Sequence, residues 1–207
     1  MDVVDKIFYL EDKDVIIDKD WYYHAISYRK DSFIDMVTSG IKSPVLLNSS
    51  FEGSNGKYYV SLSKNLGLTY DSAYNIYSNL PMFIINKNIK TFYAPNNVEY
   101  KDWLVKLISL YNKDYDEFIT KSILPFRSSD YLDEYQAFLK VNPKYIIGIG
   151  YNLYENYSLY GEGYLLENLK NLKKMVETIK EINLDLNIID LKNKLEINKE
   201  KVLTLKI

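Results

Sequence analysis

The chain has 207 residues, 47% of them apolar and 26% charged, and a formal net charge of −2. That length suits one domain with at most a modest appendage, and the composition is globular rather than disordered. With no cysteine and one histidine, the chain excludes disulfides, thiolate catalysis, Cys-ligated zinc and a His-built metal cage, so no metal is expected.

Residues 1–20 are charged, with two apolar bursts, Ile7-Phe8-Tyr9-Leu10 and Val15-Ile16-Ile17. They predict a peripheral hairpin or edge strand. Trp21 to Tyr28 has the aromatic and β-branched content of a strand. From Asp31 to Gly40 the spacing of Phe33, Ile34 and Val37 predicts a helix, with Gly40 as its C-cap. Gly53-Ser54-Asn55-Gly56 is a turn cluster feeding a strand over Lys57–Ser63. Asp71 to Leu80 reads as a short helix stopped by Pro81, and Met82-Phe83-Ile84-Ile85 as a buried strand.

Tyr100 to Thr120 predicts a long helix, because Trp103, Leu104, Leu107, Ile108 and Tyr111 recur at three-four spacing. After Pro125 a polar loop leads into two strands, Glu134–Lys140 and Lys144–Gly150. Tyr164 to Ile182 predicts a second long helix. Its Leu165, Leu169, Leu172, Val176 and Ile179 are spaced like a coiled-coil seam, but two heptads favour docking on the domain. The tail, Leu186–Leu191 and Val202–Ile207, reads as a closing strand pair. The acidic N-terminus lacks the basic start of a signal peptide, and no apolar run reaches membrane-spanning length. A cytoplasmic place of action is expected, with no membrane partner; delivery into a target cell by a leaderless route is compatible with it.

Three segments carry candidate chemistry. The single histidine, His24, lies in Trp21-Tyr22-Tyr23-His24-Ala25-Ile26-Ser27-Tyr28. A glycine-led strand follows, Gly56-Lys57-Tyr58-Tyr59-Val60-Ser61-Leu62-Ser63-Lys64. The third is Glu134-Tyr135 through Val141-Asn142-Pro143-Lys144-Tyr145-Ile146-Ile147. Each alone reads as an ordinary strand: a packed imidazole, one of 21 tyrosines, a charged strand-edge carboxylate. Their order and local context resemble the ADP-ribosyltransferase superfamily, in the His-Tyr-Glu branch that includes the poly-ADP-ribose polymerases and, similarly, the DarT-type toxins. The Glu134 stretch is the most specific part, and the resemblance spans residues 21–150.

The resemblance implies an α+β fold, a split β-sandwich of two antiparallel sheets with flanking helices. The domain itself is expected at 1–160, with a C-terminal helix and strand extension at 161–207, outside the resemblance, packed on it. The resemblance implies an enzyme that takes NAD as substrate and transfers one ADP-ribose to a macromolecular acceptor, protein or nucleic acid. Glu134 would stabilise the oxocarbenium-like ribose, as carboxylates do in glycoside hydrolysis. Tyr59 would present a flat surface to the nicotinamide, with Tyr70 or Tyr74 as the second face. His24 would bond the adenosine ribose, Ser27 or a nearby backbone group the nicotinamide amide, and Arg127 a phosphate or the target.

Two departures qualify the match. His24-Ala25-Ile26-Ser27 stands where the polymerases have His-Gly-Ser, which leaves the backbone clamp on the amide open, as is the register of Tyr58 against Tyr59. Leu132, two before Glu134, disfavours the arginine-modifying type. An RNA 2′-phosphotransferase of related fold would need more basic residues than one histidine and Arg29 with Arg127. Lys170, Lys173, Lys174 and Lys180 form the best candidate nucleic-acid stripe, but they read as the solvated face of the second long helix. That helix, 164–182, is also the expected surface for a protein partner. A catalytically inactive relative that binds NAD, ADP-ribose or a protein is the non-enzymatic alternative.

Overall fold

The computed structural model describes residues 9–14, 17–44, 46–47, 59–64, 81–89, 91–93, 134–151, 162–191 and 193–207. The helices expected at 71–80 and 100–120 lie outside the described residues. Eleven strands are described: β1 Tyr9–Asp14, β2 Tyr22–Ala25, β3 Ile41–Lys42, β4 Tyr59–Ser63, β5 Met82–Ile85, β6 Phe92–Tyr93, β7 Glu134–Phe138, β8 Lys140–Val141, β9 Ile146–Tyr151, β10 Asn187–Asp190 and β11 Leu195–Ile197. The described helices are α1 Lys30–Ser39, α2 Glu162–Glu181 and α3 Lys199–Leu203, with a 3-10 turn at Pro143–Tyr145. The protein is α+β.

Among the described residues nine strands form one sheet, in the order β1-β11-β10-β9-β5-β2-β4-β7-β6, and β3 pairs with β8 separately. The main sheet is mixed, whereas antiparallel sheets are expected from the sequence. Its β9 and β10 run parallel, and parallel neighbours need a long crossover. Helix α2 lies in that connection, so residues from both sides of position 160 share one sheet.

The run Met82-Phe83-Ile84-Ile85 is apolar throughout because both its faces are covered. Phe83 and Ile85 face a core shared with Phe33 and Val37 of α1 and with Leu172, Met175, Val176 and Ile179 of α2. Met82 and Ile84 face a second cluster with Tyr23, Ile189 and Leu191. Fully burying a side chain of this kind contributes about 1.5–3 kcal/mol. The seam-like spacing of α2 is therefore the stripe that docks on the domain: Leu172, Val176 and Ile179 are all buried.

Helix α1 ends where the sequence predicts. Gly40 has φ 100°, and its N–H donates to the Met36 carbonyl; this left-handed backbone favours glycine. Leu139 also takes a left-handed φ of 57°. That break turns the chain out of β7, so that β8 leaves the main sheet for β3, and the Ser43 N–H secures it by donating to the Leu139 carbonyl at 2.7 Å. At the C-terminus the second strand lies at Leu195–Ile197, not Val202–Ile207. A turn with Lys194 at φ 58° closes the hairpin early. The Asn198 side chain then accepts from the Lys201 N–H and starts a short helix, which buries Val202.

Candidate functional site

Three strands that are neighbours in the sheet, β2, β4 and β7, carry the three residues singled out by the sequence. His24 is in β2, Tyr59 opens β4 and Glu134 opens β7. The ladder between β4 and β7 is long: Tyr59 lies opposite Phe138, Ser61 opposite Gln136 and Ser63 opposite Glu134. The ladder between β2 and β4 is a single registered pair, Tyr23 opposite Ser63. Tyr23, Ser63 and Glu134 thus form one row across three strands. Two strand spacings separate its ends, about 10 Å between Cα atoms.

Beyond that row no further residue pair of β2 and β4 is in register, and a side chain bridges the two strands. His24 Nδ1 lies 2.8 Å from the Ser61 carbonyl oxygen. A carbonyl only accepts, so Nδ1 carries the proton. Burial lowers the imidazole pKa below its ordinary 6.5, and the Ser61 bond offsets part of that shift. The ring is therefore neutral at pH 7, and Nε2 is left with a lone pair. Among the described residues no hydrogen-bond partner meets Nε2. A neutral imidazole in this tautomer accepts a hydroxyl proton at Nε2.

Strand alternation separates the candidates into two groups. Leu62 and Val60 are buried with Tyr135 and Ala137, so the positions of Tyr59, Ser61, Ser63 and Glu134 belong to the opposite face, where Ser61 is exposed. Along the strands Tyr59 and Glu134 are about 14 Å apart between Cα atoms, the span of a nucleoside rather than of direct contact. His24 alternates with Tyr23 and belongs to the face of Tyr22 and Phe83. The register therefore brings Tyr59 and Glu134 to one face and not His24, whose imidazole bonds to β4 just past the one registered pair of β2 and β4. The side chains of Tyr59 and Glu134 lie outside the described residues.

Ser27 is exposed in the loop between β2 and α1, three residues after His24. The loop is pinned at both ends: the Ile26 N–H donates to the Pro81 carbonyl at 2.8 Å, and the Tyr28 hydroxyl donates to the Lys174 carbonyl of α2 at 3.0 Å. The Tyr28 oxygen also lies 2.7 Å from Thr178 Oγ1, and Lys30 pairs with Glu181 of the same helix. Tyr70, Tyr74 and Arg127 lie outside the described residues.

Sequence reasoning missed a cluster at the joined end of β2 and β4. Lys64 Nζ lies 5.2 Å from the ring centre of Tyr22 and 5.1 Å from that of Tyr135, and 3.5 Å from the Asp20 carboxylate. The two rings meet edge-on, 4.9 Å between centroids. Tyr22 stands two positions before His24 and Tyr135 one after Glu134, yet 21 tyrosines leave no single one distinctive.

Among the described residues no group of three or more His, Cys, Asp or Glu side chains is placed to hold a metal ion, and no helix is long and apolar enough to cross a membrane. No family model matches the chain, and no curated protein matches it.

Proposed function

We propose that the chain is an NAD-dependent mono-ADP-ribosyltransferase of the His-Tyr-Glu type, binding NAD beside the His24–Ser61 contact between β2 and β4. One observation carries the reading most: residues 24, 59 and 134, distant in sequence, stand on three adjacent strands, β2, β4 and β7. The neutral imidazole supports it as well, since its Nε2, without a hydrogen-bond partner among the described residues, fits a ribose hydroxyl donor. The exposed Ser61 surface between the Tyr59 and Glu134 positions suits a nucleoside.

In this reading the bond between nicotinamide and ribose breaks, its electron pair leaves with neutral nicotinamide, and the ribose carbon bonds to an acceptor that loses a proton. Glu134 stabilises the positive charge that develops on the ribose and orients the nucleophile. Tyr59 supplies the flat face for the ring, with Tyr70 or Tyr74 opposite. Ser27, at the pinned loop, holds the amide, and Arg127 contacts a phosphate or the acceptor. The acceptor is a protein or nucleic acid, the exposed side of α2 is the surface for a protein partner, and the place of action is the cytoplasm of the producing or a target cell.

A second reading, an inactive relative that binds NAD, ADP-ribose or a protein, draws on the His24–Ser61 bond, which gives the imidazole a structural task of its own. Incubating the full chain with labelled NAD and lysate fractions of protein, DNA and RNA separates the two. Label transferred to one fraction by wild type and not by Glu134→Gln supports the transferase. Label in none, with a thermal shift on adding NAD, favours the binding protein.

A further inference from the structure

The Lys64 ammonium occupies an unusual place for a lysine. Its side chain is 23% exposed, between two tyrosine rings that belong to different strands, Tyr22 of β2 and Tyr135 of β7. Lys64 itself follows Ser63, the one residue in register with both Tyr23 of β2 and Glu134 of β7. Asp20, just before β2, supplies the anion. Tyr22 is tied further by the Thr91 hydroxyl, which donates to its phenol oxygen at 3.0 Å. One cation thus touches the chain segments of all three candidate strands, at the point where a single backbone pair joins β2 to β4.

We propose that Lys64 is a positioning residue: its ammonium clamps β2 and β7 onto the end of β4, and thereby sets the seat of His24 on the Ser61 carbonyl. The clamp acts from the face opposite the Tyr59 and Glu134 positions, so Lys64 works through the strands and not on a substrate. Cation–π attraction is strongest when the cation is partly withdrawn from water, as here. The guanidinium of arginine is also cationic and stacks on aromatic rings, whereas methionine keeps the bulk and loses the charge. The consequence for turnover rests on the ADP-ribosyltransferase reading; the consequence for His24 does not.

The test uses the full chain as wild type, Lys64→Met, Lys64→Arg and Asp20→Asn, and reads the 15N spectrum of its single imidazole. Wild type and Lys64→Arg should show a protonated Nδ1. Lys64→Met should lose that signature and move to the averaged tautomers of a free imidazole. In nicotinamide release, Lys64→Met should raise KM for NAD about ten-fold with little change in kcat, and Lys64→Arg should restore it. An unchanged imidazole in Lys64→Met overturns the clamp whatever the enzyme assay gives. A changed imidazole, with no nicotinamide released by wild type, supports the clamp and sinks the transferase reading. If Lys64→Met does not fold, Asp20→Asn decides: a weakened Nδ1 signature supports the clamp, and an unchanged one overturns it.

Discussion

Lowering the pH from about 7.5 to about 5 should destabilise the protein through His24, the one side chain type whose ordinary pKa lies in this range. The chain has one histidine, so the effect has a single address. In the folded state burial holds the imidazole pKa below 6.5; in the unfolded state it returns to that value. Between the two the unfolded chain binds more proton, so stability rises with pH across the window. His24 contributes nothing adverse above pH 6.5, and its penalty grows as pH falls from 6.5 towards the lower folded value. One proton limits the slope to about 1.4 kcal/mol per pH unit. The carboxylates of Asp18 and Asp35, held low chiefly by hydrogen bonds from Lys87 and Lys42, act in the opposite region. Their support is present above 3.8 and is lost only as pH falls through their depressed values, below the histidine window. Urea unfolding at half-unit pH steps, for wild type and His24→Gln, measures the slope. The reasoning predicts a positive slope in wild type that His24→Gln removes. Equal slopes in the two proteins, or a wild type more stable at pH 5 than at 7.5, would refute it.

Other positions test the fold that carries the site. Gly40→Ala should cost about 1–3 kcal/mol in urea unfolding, because φ is 100° and an added Cβ would press on the Val141 carbonyl. Tyr28→Phe should cost about 1–2 kcal/mol through the lost bonds to Lys174 and Thr178. A double-mutant cycle with Thr178→Val should show coupling, and additivity would contradict the contact. Leu172→Ala, fully buried on α2, should cost about 2–5 kcal/mol. Leu166→Ala, exposed on the same helix, should be near neutral; similar costs for the two would mean that α2 does not dock by this face.

Much of the framework was legible because local chemistry and tertiary structure agree. Met82–Ile85 is apolar on every residue and is buried on both faces. Gly40 follows a helical spacing and caps the helix with a backbone conformation that few other residues tolerate. The stripe of α2 pointed to docking, and Leu172, Val176 and Ile179 are in the core. The rest depends on long-range pairing that local patterns do not encode. Nothing in Ile146–Tyr151 or Asn187–Asp190 says that they run parallel, since that follows from the helix between them. Val202 to Ile207 is apolar enough for a strand, but the Asn198 cap, one residue beyond the short hairpin, makes its first part helical. At the site, His24 was conspicuous as a lone residue type. Its partner is a backbone carbonyl, which has no sequence signature, and Lys64 gains its meaning only from two rings on other strands.

The most direct measurement is nicotinamide released from NAD by the full chain, compared with Glu134→Gln under conditions where both show a thermal shift with NAD. The transferase account predicts steady release by wild type and a loss of about a hundred-fold or more in the variant, with binding retained. Equal release by the two proteins, or NAD binding with no release by wild type, would contradict it.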